Sequence, residues 1–135
     1  MRVGFIGAGN MGSALMASMK QQAELYVYDI AAAACDKAKY EFGAHIASNI
    51  QEVVQNSEIV FVAIKPQFLD EILEELKVAW SSEKVLASIV AGKSLAFWQE
   101  ALGKNAQIAR IMPNTPAMVR EGMNTVCFSS TLKNA

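Results

Sequence analysis

The residues with the clearest chemical potential stand at the start of this 135-residue chain, in Val3-Gly4-Phe5-Ile6-Gly7-Ala8-Gly9-Asn10-Met11-Gly12. Gly-x-Gly-x-x-Gly is common in loops, but here it follows an apolar run and opens a helical pattern, the setting that gives it meaning. Gly7 permits a tight turn, and Gly9 lets the backbone approach a diphosphate with no side chain between them. Gly12 lets the first helix lie close to the sheet. The helix start then offers free N–H groups and a positive dipole end to the phosphates.

Asp29 closes the second apolar run, twenty positions after Gly9. An offset of about 20 residues is where an acidic residue meets the ribose of a dinucleotide. A carboxylate there accepts hydrogen bonds from both ribose hydroxyls of NAD and repels the extra phosphate of NADP. No lysine or arginine follows until Lys37, so NADH is expected over NADPH. Asp29 is also well placed to N-cap the second helix, and both readings stand.

Positioning these groups requires strands and helices in alternation. Strands are predicted at 2–6, 25–28, 59–64, 85–90 and 108–112, with short additions at 44–47 and 124–128. Helices are predicted at 13–22, 31–42, 50–56, 67–79 and 95–102. Continuous apolar strands separated by helices predict an α/β fold, a Rossmann-like doubly wound, mostly parallel sheet with helices on both faces. Gly43 and Gly103 suit left-handed helix C-caps, Pro66 a first helical turn, and Ser94 an N-cap. Phe68, Ile72, Leu76 and Ala79 form one core-facing stripe of the fourth helix. Asp70, Glu71, Glu74 and Glu75 read as its solvated side.

Ligands of such sheets sit beyond the carboxyl ends of the strands. The loops leaving those ends are Ala63-Ile64-Lys65-Pro66-Gln67, Val90-Ala91-Gly92-Lys93 and Met112-Pro113-Asn114-Thr115-Pro116. Lys65 could neutralise phosphate or ribose charge, or simply be a surface lysine at a helix start. Ala91 and Gly92 leave room for a flat ring. Asn49, three positions before Glu52, fits a capping box and is equally placed to contact ribose.

Twelve basic residues against thirteen acidic ones, a formal net charge of -1, leave no basic stripe for nucleic acid. The longest apolar stretch, 59–64, falls far short of the ~20 residues that span a bilayer, and the early glycines fit no signal peptide. Cys35 and Cys127 form no CxxC pair, and His45 is the sole histidine. No disulfide scaffold, metal site or Cys-His nucleophile is therefore expected. The expectation is one soluble, cytoplasmic domain over 1–135, changing character at the proline-containing segment from Met112, where the chain reads as truncated before a following domain.

The runs GAGNMG, AIKPQ, SIVAG and especially ARIMPNTPAMVREG resemble pyrroline-5-carboxylate reductase, in family order over nearly the whole chain. That resemblance implies an NAD(P)H-binding Rossmann domain followed by a helical domain that builds the homodimer, or a higher homo-oligomer, and most of the substrate pocket. The helical domain is expected to be absent from this chain, leaving a cofactor-binding half with little or no turnover. By the same resemblance Ile6, Gly7, Ala8, Gly9, Asn10 and Met11 cradle the diphosphate, and Asn49 meets the adenosine ribose. Ala63, Ile64, Lys65 and Pro66 line the dinucleotide, and Ala91 and Gly92 lie near the nicotinamide. Asn114 and Thr115 shape the place where nicotinamide meets substrate. Asp29-Ile30 departs from relatives that carry serine, asparagine or arginine after the second strand.

The implied reaction is hydride transfer from nicotinamide C4 to the C=N carbon of a small cyclic imine, 1-pyrroline-5-carboxylate, giving L-proline as the last step of its biosynthesis. The cofactor supplies the chemistry while the protein holds two rings together and excludes water. The catalytic acid is not identifiable: Glu121 is nearest by position but reads as an exposed loop carboxylate. A β-hydroxyacid-dehydrogenase-like oxidoreductase and a non-catalytic dinucleotide-binding redox sensor are the alternatives. The MPNTP segment speaks against the former.

Overall fold

β-Branched runs and helices alternate along the chain, and each crossover returns the next strand parallel to the last. The computed structural model describes residues 1–113 and 124–128, with side chains through residue 111. In chain order the elements are β1 Arg2–Ile6, α1 Asn10–Met19, β2 Glu24–Tyr28, α2 Ala32–Phe42, β3 His45–Ile46, α3 Ile50–Asn56 and β4 Ile59–Val62. A 3-10 turn at Pro66–Phe68 leads into α4 Leu69–Ala79, then β5 Val85–Ser88, α5 Leu95–Leu102, β6 Gln107–Pro113 and β7 Asn124–Phe128. The described strands lie in the order β3-β2-β1-β4-β5-β6-β7. All neighbours pair parallel except β6 and β7, which are antiparallel. The expected doubly wound, mostly parallel sheet is what forms.

Alternation along each strand feeds two cores. Ile6, Val60, Val62, Leu86 and Ile108 face Ile50, Val53, Leu76 and Trp98 of α3, α4 and α5. On the other side Val3, Phe5, Leu25, Val27 and Phe61 pack with Met16 of α1 and Ala38 of α2. Phe5 and Phe61, neighbours in register on β1 and β4, stack with centroids 4.9 Å apart and planes 8° from parallel.

Several ends differ from the sequence reading. The first helix runs from Asn10 rather than residue 13, because extended Gly9 is itself its N-cap. It stops at Met19, whose carbonyl is taken by the amides of Gln22 and Ala23 in the following turn. Gly43 is the expected left-handed cap (φ 68°, ψ 24°), whereas Gly103 takes φ 113° and ψ 155°, outside the left-handed cap region. Pro66 starts a 3-10 turn closed by the Phe68 amide on the Lys65 carbonyl at 3.0 Å. That turn takes Phe68 off the α4 stripe and leaves it 46% exposed. Nor is Glu75 merely solvated: its carboxylate accepts the Ile50 amide at 2.8 Å and caps α3 from outside. Ser94 does cap α5, accepting from the Phe97 amide at 3.1 Å.

Candidate functional site

The sheet reverses its winding between β1 and β4, where a doubly wound sheet opens a crevice at its carboxyl edge. Ile6 is level with both Tyr28 and Val62, so the loops after β1, β2 and β4 leave side by side. Two main-chain bonds tie them: the Gly7 amide donates to the Tyr28 carbonyl at 2.9 Å and the Ala63 amide to the Ile6 carbonyl at 2.8 Å.

The glycines of the first loop have distinct reasons. Gly7 sits at φ 103°, and a Cβ there would run into the Ala63 carbonyl and Ile64 Cγ2. A Cβ on Gly12 would stand 2.7 Å from the Gly7 carbonyl oxygen, so the start of α1 rests directly on the turn. At Gly9 a Cβ would meet nothing within 4 Å. Internal packing explains the first two glycines, while the third keeps space clear on the outer side of the loop. The amides of Gly9, Asn10 and Met11 meet no acceptor among the described residues, as expected of donors that open a helix. Bare amides at a dipole end beside an unobstructed backbone suit a diphosphate.

Asp29 organises the neighbouring loop. One carboxylate oxygen accepts the Ala8 amide at 2.8 Å and the other the Ala31 amide, also at 2.8 Å. Ala31, not Asp29, is the N-cap of α2, so the capping alternative gives way to a bridge between two loops. The Ala8 amide is thereby turned inward, and the amides facing outward are those from Gly9 onward. A carboxylate has about four lone-pair sites, so Asp29 keeps acceptors for ribose hydroxyls.

A cleft of about 260 Å³ opens beside these groups, lined by Gly7, Gly9, Asp29, Ala63, Ile64 and Lys65 together with residues of the 3-10 turn and α4. Ile6 belongs to its wall, and Pro66 starts the turn that bounds it. Tyr28, Ile30, Phe68, Glu71 and Ile72 also line it, none of which the sequence reading placed there. Ile30, 80% exposed directly after Asp29, carried a legible signal as an apolar residue at a strand end. Glu71 did not, because helical periodicity assigns it to a solvated face.

Asn49 accepts the Glu52 amide at 2.8 Å, and the Glu52 carboxylate in turn accepts the Ser48 amide at 2.7 Å, one residue earlier than a standard capping box. The cap uses Asn49 Oδ1 and leaves its NH2 group to donate. Ala91 and Gly92 form an exposed turn after β5, with Gly92 at φ 76°. Asn114 and Thr115 lie outside the described residues.

Perturbed charges lie at the opposite edge of the sheet. The Arg2 amide donates to Glu58 Oε2 at 2.9 Å and holds that carboxyl below its ordinary pKa, against the opposing effect of desolvation. Tyr26 donates to Glu24 Oε1 at 2.9 Å, which raises the phenol pKa. His45 also meets Glu24, at 3.0 Å, so it stands at the outer strands rather than in the cleft. Among the described residues no group of His, Cys, Asp and Glu could hold a metal ion, and no helix is long and apolar enough to cross a membrane.

Residues 2–92 match the family described as NADP oxidoreductase coenzyme F420-dependent. Over 130 residues the chain is 35% identical to the pyrroline-5-carboxylate reductase of Escherichia coli (strain K12), covering 93% of this chain and 48% of that one. A pyrroline-5-carboxylate reductase structure from Coxiella burnetii superposes with a TM-score of 0.89 at 26% identity, covering 98% of this chain and 51% of that one. The Plasmodium falciparum pyrroline carboxylate reductase with NADP bound superposes with a TM-score of 0.81 at 27% identity, over 99% of this chain and 50% of that one. The chain spans about half the length of the curated relatives it matches.

Proposed function

Because this chain belongs to the NADP oxidoreductase coenzyme F420-dependent family, we propose that its cleft holds a reduced nicotinamide dinucleotide. We propose further that it forms the dinucleotide-binding half of a pyrroline-5-carboxylate reductase acting in proline biosynthesis. One observation carries the first step: at Gly9 the backbone stands clear, with the amides of Gly9, Asn10 and Met11 unbonded, at the winding reversal of the sheet. Similarity over nearly the whole chain to reductases of that name carries the second.

In this reading the amides from Gly9 to Met11 bind the diphosphate, with Ile6, Gly7, Ala8 and Gly12 fixing the loop. Asp29 and Asn49 hold ribose hydroxyls, Ala63, Ile64, Lys65 and Pro66 line the dinucleotide, and Ala91 and Gly92 flank the nicotinamide. Asn114 and Thr115 stand next to the substrate. A bound dinucleotide supplies a hydride for the C=N carbon of 1-pyrroline-5-carboxylate. The residues of this chain orient the ring and exclude water. Substrate contacts and the homodimer surface belong to a separate helical domain, and the protein works in the cytoplasm. No proton donor is assigned: His45 is bound to Glu24 away from the cleft.

The choice of cofactor turns on Asp29. The relative from Plasmodium falciparum has NADP bound, but here a carboxylate follows β2, and no basic residue appears between Ile30 and Asp36. A 2′-phosphate would meet like charge, so NADH is the preferred reductant. Titration of the chain with NADH and NADPH, followed by nicotinamide fluorescence, tests both steps of binding. Saturable NADH binding, tighter than NADPH, is expected. No binding of either overturns the site, and tighter NADPH binding overturns the preference. A proline-forming assay of the full-length protein tests the reaction.

A further inference from the structure

One wall of the cleft is built by the loop after β4, the 3-10 turn and α4. Ile64, Phe68 and Ile72 give it apolar surface, and Ile30 adds more from the loop after β2. Phe68 is 46% exposed and Ile30 80%, so the chain leaves large apolar groups uncovered at the rim. A flat heteroaromatic ring buries such groups well, since both its faces are apolar and its edges carry the polar atoms.

Glu71 is the only acidic side chain this wall contributes to the cleft. The other α4 carboxylates do not line it: Glu75 caps α3 through Ile50, Glu74 pairs with Lys77 at 3.4 Å, and Asp70 lies outside the lining. Glu71 has no hydrogen-bond or ion-pair partner among the described residues. Asp29, the other carboxylate of the cleft, already holds two amides.

We propose that Glu71 reads the base of the bound nucleotide. Its carboxylate accepts a hydrogen bond from the exocyclic amine of a 6-aminopurine lodged against Ile64, Phe68 and Ile72. A 6-oxopurine presents an oxygen at the same position, which the carboxylate repels. This inference rests on the dinucleotide assignment made above, and the two fail differently.

The test compares NADH with its hypoxanthine analogue, deamino-NADH, by fluorescence titration of the unmodified chain and of Glu71→Gln. Both ligands carry the same nicotinamide, so the readout is identical and needs no turnover. The unmodified chain should bind NADH about tenfold more tightly, the scale of one charge-assisted hydrogen bond at an exposed site. In Glu71→Gln the side-chain amide can donate to O6 or accept from N6, so the ratio should fall to about twofold or less. Equal affinities in the unmodified chain, or an unchanged ratio in Glu71→Gln, overturn the role of Glu71 while leaving dinucleotide binding intact. Failure of the unmodified chain to bind either ligand overturns the dinucleotide assignment itself.

Discussion

Asp29 at the end of β2 holds the amide of Ala8 in the glycine loop after β1, with 2.8 Å between carboxylate oxygen and nitrogen. The same side chain therefore fixes the loop that would meet phosphates and presents charge where a ribose would lie. Substituting it should change both properties together. In Asp29→Asn one acceptor oxygen becomes an NH2 group facing an amide donor. Loss of that half-buried bond should destabilise the fold by about 1–2 kcal/mol. The proposed preference for NADH over NADPH should relax at the same time. Urea denaturation and paired titrations measure the two effects. A stability loss without any change in the cofactor ratio would leave Asp29 with a structural role only.

Gly9 and Gly7 of the loop should separate cleanly. Gly9→Ala has room for its methyl group within the chain, so stability should change by less than about 1 kcal/mol. Dinucleotide affinity should nevertheless drop by about tenfold or more, because the methyl group stands where the backbone must be approached. Gly7→Ala combines a positive φ with collision against the β4 loop and should lose about 2–4 kcal/mol. If thermal melts rank Gly9→Ala as the more damaging, the space beside Gly9 is not reserved for a ligand.

Acid stability should depend on Glu58. The Arg2 amide favours its ionised form, so the folded-state pKa lies below the ordinary value of 4.5. The unfolded chain then binds the proton more readily. The resulting stabilisation is complete above the unfolded pKa and disappears as pH falls through the folded one. Glu58→Gln should flatten that part of a pH-dependent unfolding curve and leave the region above neutrality unchanged in slope. An identical acid limb in both proteins would remove Glu58 from the account.

Core packing offers a further check. Phe5 is fully buried and stacked on Phe61, and Phe5→Ala should lose about 3–5 kcal/mol. Calorimetry or urea unfolding reads this directly. A loss below about 1 kcal/mol would mean that the two cores tolerate a void that close packing does not ordinarily allow.

Much of this was legible in residue pattern. The glycine spacing, the β-branched runs, Gly43, Ser94 and Asn49 all report local rules, and local rules act within one turn or one strand. The misplaced details share a different origin. Glu75 looks solvated until α3 is brought beside α4, and the bridge from Asp29 to the Ala8 amide exists only once β2 is laid against β1. Phe68 fits a helical stripe until Pro66 forces a tighter turn. Glu71 and Ile30 enter the cleft only through tertiary placement. Residues 114 and 115 lie outside the described residues.

The backbone stacking of Gly12 on Gly7, and of Gly7 on Ala63, means that the shape of this corner is written in main-chain atoms. Apart from Asp29, side chains nearby can therefore drift without deforming it. A diphosphate bound there would meet a shape built before it arrives, which favours capture by collision rather than by rearrangement.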